Sequence, residues 1–178
     1  MAIHATIDLE TLDTKPDCVI LSLGAVKFDP LSKDEPHSEL YWKLDVDHQT
    51  ELGRSISDST MDWWSKQDPK IMEEAFSEDD RTPLETVLKE LSKWMNGVDV
   101  LWGQGYGFDM TILENLYWQM KMPVPWRFWQ VRDSRTLFSL CEKDPRKSMQ
   151  TDLHNALADA LYQSKAIQLA YEELGVKK

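Results

Sequence analysis

Apolar and polar positions alternate loosely through Ile3-His4-Ala5-Thr6-Ile7-Asp8-Leu9, a pattern that predicts a strand. After a turn around residues 13–17 comes Val19 to Phe28, an apolar run rich in Val and Ile and interrupted by Gly24, again a strand. A polar turn from Pro30 to Pro36 leads to a third strand, Glu39 to Val46, with Leu40, Trp42 and Leu44 on one face. Three consecutive strands joined by short turns predict an antiparallel meander.

The period then changes. Asp58, Ser59 and Thr60 offer caps for a helix carrying Met61, Trp63 and Trp64, and the acidic stretch 68–80 reads as exposed helix or loop. Thr82-Pro83 opens a helix in which Leu84, Val87, Leu88, Leu91, Trp94 and Met95 recur at helical spacing until Asn96-Gly97 stops it. Val98 to Trp102 is a short buried strand, followed by a Gly-rich turn and a helix from about Asp109 to Met120. Val131 to Asp133 is a further short strand, and helices over 137–141 and 154–174 complete the chain. Strands in a meander, then helices around a strand, predict an α/β fold with a mixed sheet and flanking helices.

At 178 residues this is the size of one domain, residues 1–178. A chain 42% hydrophobic and 29% charged has a core to bury and is not disordered. Cys18 and Cys141 are too few for a disulfide framework, which points to a reducing cytoplasm. Met1 to Thr14 contains no Lys or Arg, so no signal peptide is expected, and no apolar stretch is long enough for a membrane span. The net charge of −11 argues against a protein that coats nucleic acid. Between Lys121 and Lys147, however, seven basic residues face three acidic ones. That stretch is either a solvated surface or a means of steering an anionic substrate.

Three groups of residues carry candidate chemistry. Asp8 and Glu10, two apart on a strand, face one side and offer paired hard oxygens suited to Mg²⁺ or Mn²⁺. Alone, the pair reads more readily as two exposed carboxylates at a strand end, since D-x-E arises by chance in a chain this acidic. Asp109 follows the turn Gly103-Gln104-Gly105-Tyr106-Gly107-Phe108, where an aspartate also serves as a simple helix cap. The turn has neither the dinucleotide fingerprint nor a P-loop Lys-Ser/Thr. His154 and Asp159, five apart, cannot share a helical face, so His154 is expected on the loop before the last helix and Asp159 within its first two turns. Ala156, Ala158 and Ala160 let that helix approach a neighbour closely.

The order D-x-E on a first strand, F-D opening a middle helix and H-x-x-x-x-D near the last helix resembles the DEDDh family of 3′–5′ exonucleases, with a ribonuclease H-like fold. The pattern spans residues 8 to 159. Ile7 to Leu12, Trp63 to Gln67, Pro125 to Trp129 and Arg132 to Leu137 are similar to the compact branch holding phage exonuclease A-like proteins and mycobacterial 3′–5′ exoribonucleases. Gln104 departs from the Asn common in that branch.

The resemblance implies a two-metal phosphodiesterase acting on the 3′ ends of single-stranded RNA or DNA and releasing nucleoside 5′-monophosphates. Two Mg²⁺, with Mn²⁺ able to substitute, would sit among Asp8, Glu10, Asp109 and Asp159, with Asp8 bridging them. His154 would be the general base, work for which an ordinary imidazole near ~6.5 is suited. Thr11 and Leu12 would lie by the terminal nucleotide, Trp63 and Trp64 would stack on bases or pack in the core, and Arg132 and Arg135 would contact phosphates. The resemblance also implies a homodimer. The competing expectation is an inactive nucleic-acid-binding or accessory module on the same fold.

Overall fold

A computed structural model describes residues 2–105, 107–149 and 154–177. The chain runs β1 (His4–Thr11), β2 (Ile20–Phe28), β3 (His37–Leu44), α1 (Val46–Glu51), α2 (Asp58–Trp64), α3 (Pro69–Phe76), β4 (Arg81–Thr82), α4 (Leu84–Trp94), β5 (Val100–Gly103), α5 (Asp109–Gln119), β6 (Val131–Asp133), α6 (Ser134–Phe138) and α7 (Ala156–Glu173). One six-stranded sheet has the order β4-β3-β2-β1-β5-β6. The meander β1-β2-β3 is antiparallel, as its short turns require, while β4, β5 and β6 run parallel to their neighbours. This is the mixed sheet with flanking helices that the ribonuclease H-like expectation describes. No helix among the described residues is long and apolar enough to cross a membrane.

The two faces of the sheet differ because side chains alternate along each strand. Ala5, Ile7, Leu9, Leu23, Ala25 and Leu44 form the main core with Leu84, Val87, Leu88 and Leu91 of α4 and Ile112, Leu113, Leu116 and Tyr117 of α5. The opposite face, bearing Thr6, Asp8 and Glu10 on β1, is covered by α7. There Phe28 and Trp102 pack on Ala166, Ile167 and Ala170.

Several boundaries differ from the sequence expectation for local reasons. The third strand ends at Leu44, because Asp45 accepts the His48 N–H at 2.9 Å and turns the chain into α1 at Val46. Ser57, not Asp58, Ser59 or Thr60, caps α2 by accepting the Thr60 N–H. The acidic stretch 68–80 contains α3, capped by Asp68, and Ala75 is buried against Trp64. Thr82 belongs to β4, and Pro83 occupies the cap of α4 without a side-chain bond. Asp133 caps α6, which therefore starts before Leu137 and ends before Cys141. Asn155, not His154, immediately precedes α7, its side chain accepting the Leu157 and Ala158 N–H groups.

Helix α7 lies hard against β2 at Gly24. A Cβ on Gly24 would lie 2.2 Å from the Ala156 carbonyl carbon and 2.3 Å from the Leu157 nitrogen. Both are backbone atoms, so only a bare backbone at position 24 admits the first turn of α7. Gly24→Val should therefore push α7 off the sheet and cost at least about 1–3 kcal/mol, the range for overpacked cores. The expected measurement is a lower urea midpoint at similar slope. A midpoint equal to that of the wild type would show that α7 does not depend on this contact.

Candidate active site

Asp8 and Glu10 stand at the C-terminal end of β1, paired across the sheet with Gly24 and Ser22. Because Gly24 contributes no side chain, the space beside Asp8 is filled by the N-terminal turns of α7. Asp159, in the first turn of α7, thereby comes against Glu10, and Gln163, one turn on, against Asp8. Asp109, the first residue of α5, arrives from the β5–α5 turn. It does not cap its helix: its Oδ1 accepts the Leu9 N–H at 3.1 Å, tying α5 to β1 across 100 residues. All four acidic residues line one cleft of about 260 Å³ together with Gln104, Arg135, His154 and Tyr162. Two larger hollows, of about 550 and 750 Å³, flank the C-terminal half of α7, where Lys33 pairs with Glu172 and Lys165 with Glu35. Neither gathers a comparable group of unpaired carboxylates.

His154 lies on the loop before α7 with a φ of 76°, the left-handed region that non-glycine residues seldom enter. Its backbone N–H donates to Asp159 Oδ2 at 3.0 Å. That bond holds the His154 backbone against the first turn of α7. Glu10, His154 and Asp159 each present one ligand atom within 4.8 Å of the others. The edge-to-face contact of Trp63 with His154, at 4.8 Å between ring centres, braces the imidazole from outside.

Burial and like charge dominate the electrostatics. Burial pushes Asp8 well above the usual carboxylate range, and Asp109, Glu10 and Asp159 push it further; the Gln163 bond opposes them. Glu10 is raised to about 8 by burial, by Asp159 and Asp109, and by donating its proton to Asp159. Asp109 is raised to about 7 by burial, against the pull of backbone N–H groups and of Arg135. Burial raises Asp159 as well, opposed by the His154 N–H and by the His154 ring. Four acids that resist ionisation together, all with hard oxygen donors, form a donor set that fits divalent cations such as Mg²⁺ or Mn²⁺.

The substrate-contact candidates divide. Arg135 lines the cleft. Arg132 does not, because its guanidinium is turned onto the Trp129 and Val131 carbonyls. Trp63 is partly exposed beside His154, whereas Trp64 is buried and donates its indole N–H to the Thr11 carbonyl at 3.0 Å. Trp64 is therefore a core residue and offers no face to a base. Thr11 and Leu12 are also buried and do not line the cleft; the Thr11 hydroxyl is committed to the Asp13 carbonyl. Sequence reasoning missed Gln163 and Tyr162. Gln163 follows Asp159 by four residues, the spacing that places two side chains on one helical face.

The family model described as a 3′–5′ exoribonuclease Rv2179c-like domain matches residues 3–171. Among solved structures, the chain is similar to the nuclease domain of 3′hExo, a DEDDh family member bound to rAMP. The two share 14% identity and a TM-score of 0.57 over 96% of this chain and 92% of that one. It is also similar to exonuclease X in complex with 5′-overhanging duplex DNA, at 15% identity and TM-score 0.61 over 98% and 94%. A third likeness is to E. coli exonuclease I in complex with a 5cy-dA13 oligonucleotide, at 13% identity and TM-score 0.63. It covers 98% of this chain but only 41% of that one. At these identities the structures speak for the fold alone. No curated protein sequence matches the chain. The family match over nearly the whole length, on a ribonuclease H-like sheet that gathers the D-x-E, F-D and H-x-x-x-x-D residues, makes this 3′–5′ exonuclease a member of the Rv2179c-like exoribonuclease family.

Proposed function

We propose that the cleft shortens single-stranded RNA from a free 3′ end, releasing nucleoside 5′-monophosphates, with residues 1–178 acting as one exonuclease domain. The convergence of Asp8, Glu10, Asp109 and Asp159 in one half-closed cleft carries this reading, and the family's description as an exoribonuclease supports RNA over DNA. These four carboxylates would hold two Mg²⁺, for which Mn²⁺ can substitute. When bound, such ions would supply an acidified water and charge stabilisation at the entering and leaving oxygens.

The chain's own groups do the rest. His154 faces Glu10 and Asp159 and takes the proton from the attacking water. Asp159 holds the His154 backbone, so losing this acid also loosens the base. Arg135, the one cation lining the cleft among the described residues and without an ion-pair partner among them, attracts the phosphate. A small cleft between strand ends and a helix N-terminus suits a chain end better than a passing strand. Trp63, exposed beside His154, would stack a base or brace His154. The unpaired thiols Cys18 and Cys141 support a reducing cytoplasm, and exposed Trp118, Phe128 and Trp129 offer apolar surface for a homodimer.

A 5′-labelled single-stranded RNA should shorten as a ladder in Mg²⁺, and a 3′-phosphorylated copy should resist. His154→Ala should lower kcat about 10²–10⁴-fold, the usual worth of a positioned general base. Internal cleavage of the blocked strand at the rate of the free one would contradict the assignment.

The raised carboxylates also set a pH dependence for metal-free protein. Folded Glu10 and Asp109 keep their protons up to about 8 and about 7, whereas unfolded carboxylates release theirs near ~4. The folded state thus binds more protons, and the stability this confers is present at low pH and lost as pH rises through those values. In EDTA the melting temperature should fall between pH 5.5 and 8.5. Millimolar Mn²⁺ should restore it, more at pH 8.5 than at 5.5. A flat profile in EDTA, or indifference to Mn²⁺, would contradict the clustered site.

A further inference from the structure

The buried face of α7 is made of Ala156, Ala160, Ala166, Ile167 and Ala170, with Ser164 satisfied on its own helix; Gln163 is the one long polar side chain among them. It is 1% exposed. Its Nε2 donates to Asp8 Oδ1 at 2.7 Å, while its Oε1 is buried with no hydrogen-bond partner among the described residues. With Asp8 ionised, the form that holds a cation, the opposite amide orientation would set two oxygens against each other at that distance, so the bond to Asp8 then fixes which end is left bare.

Packing does not account for this residue. A buried acceptor without a donor destabilises the fold, and Met or Leu would occupy the same space without that cost. What the amide supplies is a neutral donor to one oxygen of Asp8. Lys or Arg would satisfy Asp8 equally but would cancel the negative field of the cleft. Glu would add a fifth carboxylate to four that already repel one another.

We propose that Gln163 is a positioning residue of the exonuclease. By holding Asp8 Oδ1 it fixes the plane of that carboxylate, leaves the second oxygen free for the cleft, and thereby sets the affinity of the acidic cluster for divalent ions. The inference rests on the reading that Asp8 is a metal-holding residue. Groups that orient ligands in this way typically change metal affinity by ~10–100-fold when removed.

The test compares wild type with Gln163→Met and Gln163→Asn, each stripped of metal. Both variants lose the bond, Met because it has no donor and Asn because it is one methylene too short. Three readouts are taken: melting temperature in EDTA, Mn²⁺ binding by calorimetry without substrate, and initial rates on a 5′-labelled RNA at saturating Mn²⁺. Gln163→Met should melt at or above the wild-type temperature and bind Mn²⁺ ~10–100-fold more weakly. Its kcat should fall with little change in KM for the oligonucleotide. Gln163→Asn should weaken Mn²⁺ binding likewise, which keeps the test open if the Met variant does not fold. Mn²⁺ affinity within twofold of wild type in a folded variant would overturn the proposal. So would a loss that merely tracks a lower melting temperature. Because the Mn²⁺ titration uses no substrate, a wild type that bound Mn²⁺ but spared RNA would count against the substrate assignment alone.

Discussion

The helix that completes the cleft lies directly on the backbone of β2 at Gly24, where any side chain would occupy the space of the Ala156 carbonyl. Completion of the acidic cleft depends on that approach. Asp8 and Glu10 are fixed by the strand, and Asp109 by its bond to the Leu9 N–H. Asp159, Gln163 and the His154 loop reach them only as far as α7 can descend. The alanines at 156 and 160 provide the same clearance from the helix side. Close packing and catalytic geometry are here a single constraint.

Bringing four carboxylates into a partly desolvated cleft is unfavourable without cations, and the fold accepts that cost. The raised acids, the protonated Glu10 hydrogen-bonded to Asp159 and the Gln163 Oε1 without a partner among the described residues all express it. Such local conflict is expected where structure serves chemistry rather than stability. The main core on the other face of the sheet, from Ala5 and Ile7 to Tyr117, carries no comparable conflict and supplies the rigidity against which the strain is held.

Much of this was legible in the chain itself. The meander is visible because its apolar positions alternate, and the helices over 84–95 and 109–120 because theirs recur at helical spacing. The acidic residues stood out only as an ordered set, since each alone had an ordinary explanation. Asp109 shows why: whether it caps a helix or faces a site depends on a bond to Leu9 that local sequence does not encode. Trp63 and Trp64 are neighbours on one helix and point different ways, one to His154 and one into the core, a choice made by packing against Thr11 and Phe76. Arg132 and Arg135 look alike in sequence, but β6 turns one onto its own carbonyls and α6 brings the other to the cleft. Helix α1 stayed hidden because the apolar pattern of β3 runs on into Val46, and only the Asp45 cap marks the break.

The account's central claim is that Asp8, Glu10, Asp109 and Asp159 form one divalent-metal site built by the seating of α7. Crystals grown in Mn²⁺, with data collected at the manganese absorption edge, test it most directly. The account predicts two anomalous peaks inside the cleft, bounded by oxygens of these four residues, with Gln163 still bonded to Asp8. A cleft without a peak, in crystals where Mn²⁺ is bound elsewhere on the chain, would contradict it.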